Sequence, residues 1–185
     1  MCRLVRHLKP ILAAILATVV FSLPRPGVAE TVDEMFRRLQ EPGVNSEAVE
    51  EQIWSEWARS GSASMDLLLQ RGMKALEAQD TEAAIGFFSA LVDHAPEFAE
   101  GYNARATAYF QAGLFGPSLA DLRQALALNP RHFGAMAGLA MILEETGHPD
   151  DALEVWQEVR RLTPHNAAVN ETIERLDRKI GGETL

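Results

Sequence analysis

The 185-residue chain has a single cysteine, Cys2. An intramolecular disulfide is therefore excluded. Cys2 also sits too close to the start to be the lipid-attachment cysteine that follows an apolar leader. Aromatics are scarce at 7%, and no window alternates β-branched with polar residues as a half-buried strand would. The uncharged run from Ile11 to Leu23 is 13 residues long, short of the roughly 20 that span a bilayer as a helix. Basic charge is also in deficit, with 17 Lys and Arg against 26 Asp and Glu. A surface of that sign repels phosphate backbones, which argues against nucleic acid as a partner.

Chemistry-bearing motifs are missing too. There is no G-x-S-x-G, no P-loop and no H-E-x-x-H, so the common routes to an activated nucleophile, a cradled phosphate or a zinc-bound water are unavailable. His94, His132, His148 and His165 fall in or near predicted turns, with no pair at i, i+4 on a helix and no cysteine to help them. No catalytic residue, cofactor or metal is expected.

Ala, Leu, Glu, Gln and Arg dominate, which favours an all-α fold. Residues 1–29 have the layout of a secretory signal peptide. Arg3, Arg6, His7 and Lys9 precede the apolar run, Pro24 ends it, and Gly27, Val28 and Ala29 supply small residues before a cut at Glu30. These residues hold four basic side chains and no acid, so cleavage leaves 13 basic and 26 acidic groups. The expected product is exported, secreted or periplasmic, with no stable membrane anchor.

Residues 30–64 read as a helical hairpin. Thr31 and Glu34 form a capping box, a helix runs to about Gln40, and Glu41-Pro42-Gly43 stops it. A second helix over about 47–59 carries an apolar stripe of Val49, Ile53, Trp54 and Trp57. Both tryptophans are expected to pack onto the unit that follows and cover its core.

From residue 65 the chain repeats itself. Pro96, Pro130 and Pro164 are spaced 34 apart. They define units 65–98, 99–132 and 133–166, each with two helical stretches. The eighth position is always small (Gly72, Ala106, Ala140), as a close crossing of helix backbones requires. The twentieth is small as well (Ala84, Ser118, Ala152), and the twenty-fourth is large (Phe88, Leu122, Trp156). Proline at the thirty-second ends the second helix of each unit. Gln79-Asp80, Gly113 and Gly147 separate the helices, and glycine just past a helix supplies the left-handed residue that closes it. Residues 167–180 form one more amphipathic helix with Val169, Ile173, Leu176 and Ile180 on one side. Gly181-Gly182 is expected to break it, leaving a tail over 181–185.

This register resembles the tetratricopeptide repeat, a 34-residue helix–turn–helix unit. The resemblance implies an all-α, helical-hairpin repeat solenoid with three repeats, an N-terminal hairpin as one cap and helix 167–180 as the other. It also implies that first helices line a concave groove. The groove residues would be Leu69, Met73 and Leu76 from the first unit, Asn103, Thr107 and Phe110 from the second, and Met141, Glu144 and Glu145 from the third. Such a groove is apolar in its middle and acidic at one edge. It would take a basic or apolar segment of another protein, as an adaptor or assembly factor of a bacterial cell envelope would. The basic and Asn clamp by which related domains hold acidic chaperone tails is missing, because Leu69, Met73, Glu100 and Ala104 stand where it would be. Two other readings remain open: a self-associating structural solenoid, and a binder of small molecules or cell-wall glycan using Tyr109, Phe110 and the tryptophan pair. Arg71 and Arg105 replace the usual leucine at position 7. Arg105 is expected to pair with Asp121 across the helices.

Overall fold

The computed structural model describes residues 30–183. The predicted leader and its cleavage site lie outside them. The described body from Thr31 onward is built of α-helices. A hairpin comes first, α1 Val32–Leu39 and α2 Ser46–Trp57. Three helix pairs follow: α3 Ala63–Glu77 with α4 Thr81–His94, α5 Ala99–Gln111 with α6 Phe115–Leu128, and α7 Phe133–Glu145 with α8 Pro149–Leu162. The last helix is α9 Ala167–Glu183.

Local chemistry sets the element ends. The Thr31 hydroxyl accepts from the Glu34 amide, and Glu34 reaches back to the Thr31 amide at 2.9 Å, completing the capping box. Asn45 caps α2 by accepting from Ala48 N–H. α4, α6 and α8 each stop two residues short of Pro96, Pro130 or Pro164. The residue that closes each first helix is left-handed: Gln79 at φ 60°, Gly113 at 73° and Gly147 at 81°. Gln79 is the one non-glycine residue with positive φ among the described residues.

Packing follows the repeat register. Ala84, Phe88 and Leu91 are fully buried, as are Ala140 and Ala152. Gly72 faces the Phe88 ring so closely that a Cβ there would overlap it. The small eighth residue and the large twenty-fourth are thus two halves of one contact. Arg105 makes the expected pair: its Nε and Nη2 donate to Asp121 at 2.7 and 2.8 Å. Arg71 does not share that environment and is exposed on α3. α3 lies beside α5, and α5 beside α7, so the first helices form a common inner wall.

Two expectations fail. α9 continues through Gly181 and Gly182 to Glu183. Glycine weakens a helix by only about 1 kcal/mol relative to alanine, which does not stop this one.

The larger correction concerns the hairpin. It does not cover the outer face of the first unit. Met35, Phe36, Leu39, Val49 and Ile53 share one core with Phe133, Ala140, Trp156, Val169, Ile173 and Leu176. The hairpin therefore folds back onto the third repeat and α9. Polar contacts fix it there: Gln40 donates to the carbonyls of Arg161 and Leu162, Ser46 to that of His165, and Arg131 pairs with Asp33. Each buried large apolar side chain contributes about 1.5–3 kcal/mol. The third repeat offers a continuous partner of Phe133, Trp156 and Val169, whereas the stripe on α2 specifies only that some apolar partner is needed.

Candidate functional site

α2 lies against the inner wall. Its Trp54 seats over Gly134 at the start of α7, where a Cβ would collide with the indole. Trp57 stacks on His132 with ring centroids 4.5 Å apart and an interplanar angle of 25°. Trp54 meets His132 and Phe133 edge-on at 5.4 and 5.3 Å. The aromatic cluster covers the start of α7 with the chain's own side chains.

Beneath it is a buried polar network. His132 is fully enclosed. Its Nδ1 accepts the Ala135 amide at 3.1 Å and so caps α7. A nitrogen that accepts an N–H carries no proton, so the proton is on Nε2, which donates to Glu100 Oε2 at 2.9 Å. Asn103 Nδ2 also faces the Glu100 carboxylate, at 3.3 and 3.4 Å. The repeat register puts Glu100 and Asn103 on the face of α5 that lines an open groove. Both are buried, because α2 covers them. His132 stands at the turn before α7 and caps that helix, with Trp54 and Trp57 packed over its ring.

What stays open is a cleft of about 560 Å³ between α2 and the helices α3 and α5. Ala58, Leu69, Met73, Leu76 and Ala104 make its apolar floor and sides, with Glu51, Asn103 and Thr107 among its polar residues. Met73 is 43% exposed, a large apolar side chain held out at the mouth. Five of the predicted groove residues thus meet here: Leu69, Met73, Leu76, Asn103 and Thr107. Phe110 and Met141 share with Thr107 a smaller hollow of about 90 Å³. Glu144 is engaged elsewhere: it accepts from Trp156 Nε1 at 3.0 Å and pairs with Arg175 at 2.8 Å. Glu145 is exposed at the end of α7.

Among the described residues no group of three or more His, Cys, Asp or Glu side chains is arranged to hold a metal ion. The contribution of α2 to the groove is not written in the repeat register. One residue carried a signal. Position 2 is Asp66 and Glu100 in the first two units but Gly134 in the third, which leaves room for a ring.

Comparison with known proteins agrees with this architecture. The tetratricopeptide repeat family model matches residues 103–167. A tetratricopeptide repeat-containing protein of Rhizobium etli is 32% identical over 155 residues, covering 83% of this chain and 76% of the relative. The small glutamine-rich tetratricopeptide repeat-containing protein 2 of Saccharomyces cerevisiae is 28% identical over 123 residues, 66% of this chain and 35% of that protein. Among solved structures, the Sgt2 tetratricopeptide domain from Aspergillus fumigatus superposes with a TM-score of 0.62 at 20% identity, over 66% of this chain and 83% of that one. The first such domain of Spaghetti (RPAP3), bound to an HSP90 peptide, gives 0.60 at 20% identity, over 63% and 93%. At these identities the solved structures establish the fold alone. Together with the repeat register and the extent of the Rhizobium match, they lead to one conclusion: the chain belongs to the tetratricopeptide repeat family.

Proposed function

We propose that this protein is a non-catalytic binding module that holds an apolar segment of another protein in the cleft between α2, α3 and α5. The observation that carries this reading is the cleft itself. It is about 560 Å³, lined largely by Leu69, Met73, Leu76, Ala58 and Ala104, and it has the exposed Met73 at its mouth. Methionine adapts to varied apolar surfaces, and an unbranched side chain at the mouth suits a segment docking by side-chain insertion. A neighbouring domain of yeast Sti1 is bound to an Hsp70 peptide, which supports a peptide as the class of ligand.

The charge of the cleft distinguishes its ligand from an acidic tail. Glu51 and Glu100 border it, and Leu69, Met73 and Ala104 replace basic clamp residues. The partner segment we propose is apolar with flanking basic residues. We also propose that it is met in a bacterial cell envelope, on the strength of the signal-type leader at residues 1–29.

The test is a photo-crosslinking residue at position 73 of the exported protein, read with and without Thr107→Glu. The expected result is one captured partner, lost in the Thr107→Glu protein while its helicity is retained. Capture that is indifferent to Thr107→Glu would move the binding surface away from the cleft.

A further inference from the structure

The walls of the open cleft are helices on every side. From α3 come Leu69, Met73 and Leu76, at i, i+4 and i+7. α2 with its cap lines the cleft from Glu51 to Ala58, and α5 from Glu100 to Thr107, each at the same helical spacing. Such spacing puts each set on one helix face. Two turns of helix, about 10 Å, thus run along each wall.

Walls of this kind offer no free main-chain edge. Residues within α2, α3 and α5 have their peptide groups in helical hydrogen bonds. Polar side chains of the cleft are engaged as well. Thr107 Oγ1 donates to the Asn103 carbonyl at 3.0 Å, and Asn103 Nδ2 faces the Glu100 carboxylate. An extended segment pressed against Leu69, Met73 and Leu76 would leave its own N–H and C=O groups without partners, which is costly away from water. A helix brings those bonds with it and shows the wall only side chains. The molecule already docks one helix in this way. α2 lies on the third repeat with Val49 and Ile53 in the core shared with Phe133 and Trp156, and with Trp54 packed against that core. The cleft is the adjoining stretch of the same inner wall, left open beside α2.

We propose that the segment held in this cleft is an amphipathic α-helix, with aliphatic side chains at i, i+4 and i+7 on its inner face and lysine or arginine on its flank. This rests on the cleft being the binding site, and adds the form, spacing and charge of the ligand. Aliphatic residues at that spacing meet Leu69, Met73 and Leu76 turn for turn, and the adaptable Met73 tolerates leucine, isoleucine or methionine opposite it. No Lys or Arg lines the cleft, whereas the exposed Glu51 and the Glu100 carboxylate border it. Basic residues on the flank are therefore attracted and acidic ones repelled.

Fluorescence anisotropy with the full chain and three labelled peptides tests this. The first is a lactam-bridged helix with leucines at i, i+4 and i+7 and lysines on its flank. The second has the same sequence with two central d-residues that prevent the helix. The third is the bridged helix with glutamates in place of the lysines. The first is expected to bind about tenfold more tightly than either of the others, and more weakly as salt rises. Met73→Lys, at the exposed mouth, is expected to weaken it by about tenfold while circular dichroism is unchanged. Equal or tighter binding of the d-residue peptide, still sensitive to Met73→Lys, would overturn the helical form and leave the cleft as the binding site. Equal or tighter binding of the glutamate helix would overturn the assigned charge. Absence of binding by both lysine peptides, or binding indifferent to Met73→Lys, would overturn the helix and the cleft together.

Discussion

The indole of Trp54 occupies the space that a Cβ on residue 134 would need, so Gly134 is the seat of the hairpin on the third repeat. Gly134→Leu is expected to lift Trp54 from that seat. Displacement of this kind costs about 1–3 kcal/mol. Thermal unfolding would report the loss, and a red-shifted tryptophan emission would place it at the hairpin. An unchanged spectrum and midpoint would mean that α2 is held by its other contacts alone.

His132 joins three things that repeats normally keep apart: the start of α7, the Glu100 carboxylate on α5 and the Trp57 ring on α2. His132→Ala removes a helix cap, worth about 1 kcal/mol, and takes away one donor from a buried carboxylate, costing roughly 1–3 kcal/mol more. The expected loss is about 2–4 kcal/mol by denaturant titration. His132→Asn keeps the cap and should lose less. Equal losses for the two would assign the whole effect to the Glu100 contact and the ring stack.

Gln79 takes the left-handed conformation that glycine takes at the equivalent residues 113 and 147. Holding a side-chain-bearing residue there costs roughly 1 kcal/mol. Gln79→Gly should therefore stabilise the protein slightly, by up to about 0.5 kcal/mol once the added backbone freedom of the unfolded chain is deducted. A lower midpoint for the variant would show that the Gln79 side chain contributes more than its strain costs.

Glu50 gives a pH signature. Its folded carboxyl sits above the ordinary 4.5, mainly through burial. Its stabilising contribution is present below the unfolded value, where it is protonated in both states, and is lost as pH rises through the raised folded value. Glu50→Gln should thus be more stable than the parent at neutral pH, with the difference shrinking as pH falls toward 4.5. Glu47, Glu51 and His165 line the pocket beside Glu50 and are present in both proteins, so the difference curve reports on Glu50 and its neighbours. A difference that is flat with pH would contradict the burial of its charge.

The repeats were legible because their signals are local. A small residue against a large one, a left-handed turn and a helix-ending proline are each written within one 34-residue unit. The pair Gly72 and Phe88 and the bidentate pair Arg105 and Asp121 follow from that register. The destination of the hairpin was not legible, because an apolar stripe states how much surface must be covered and not by what. Val49, Ile53, Trp54 and Trp57 would fit either end of the stack. The contacts that decide between them join residues about 100 positions apart, such as Asp33 with Arg131 and Gln40 with Leu162. The residues that α3 and α5 bring to the cleft therefore follow from the repeat register, while the wall made by α2 and the covering of Glu100 and Asn103 do not.

A linear array of repeats can unzip from either end, each unit losing only its neighbour. The fold-back of α1 and α2 onto α8 and α9 removes that freedom from one half of the molecule. Trimming the 17 residues of α9 would strip the wall behind Val49 and Ile53 and release the opposite terminus with it. Deleting the hairpin would uncover Phe133, Trp156 and Val169. The first and last helices of the described body are thus expected to melt as one unit. The first repeat, α3 and α4, whose outer side receives no hairpin, is the place where fraying begins.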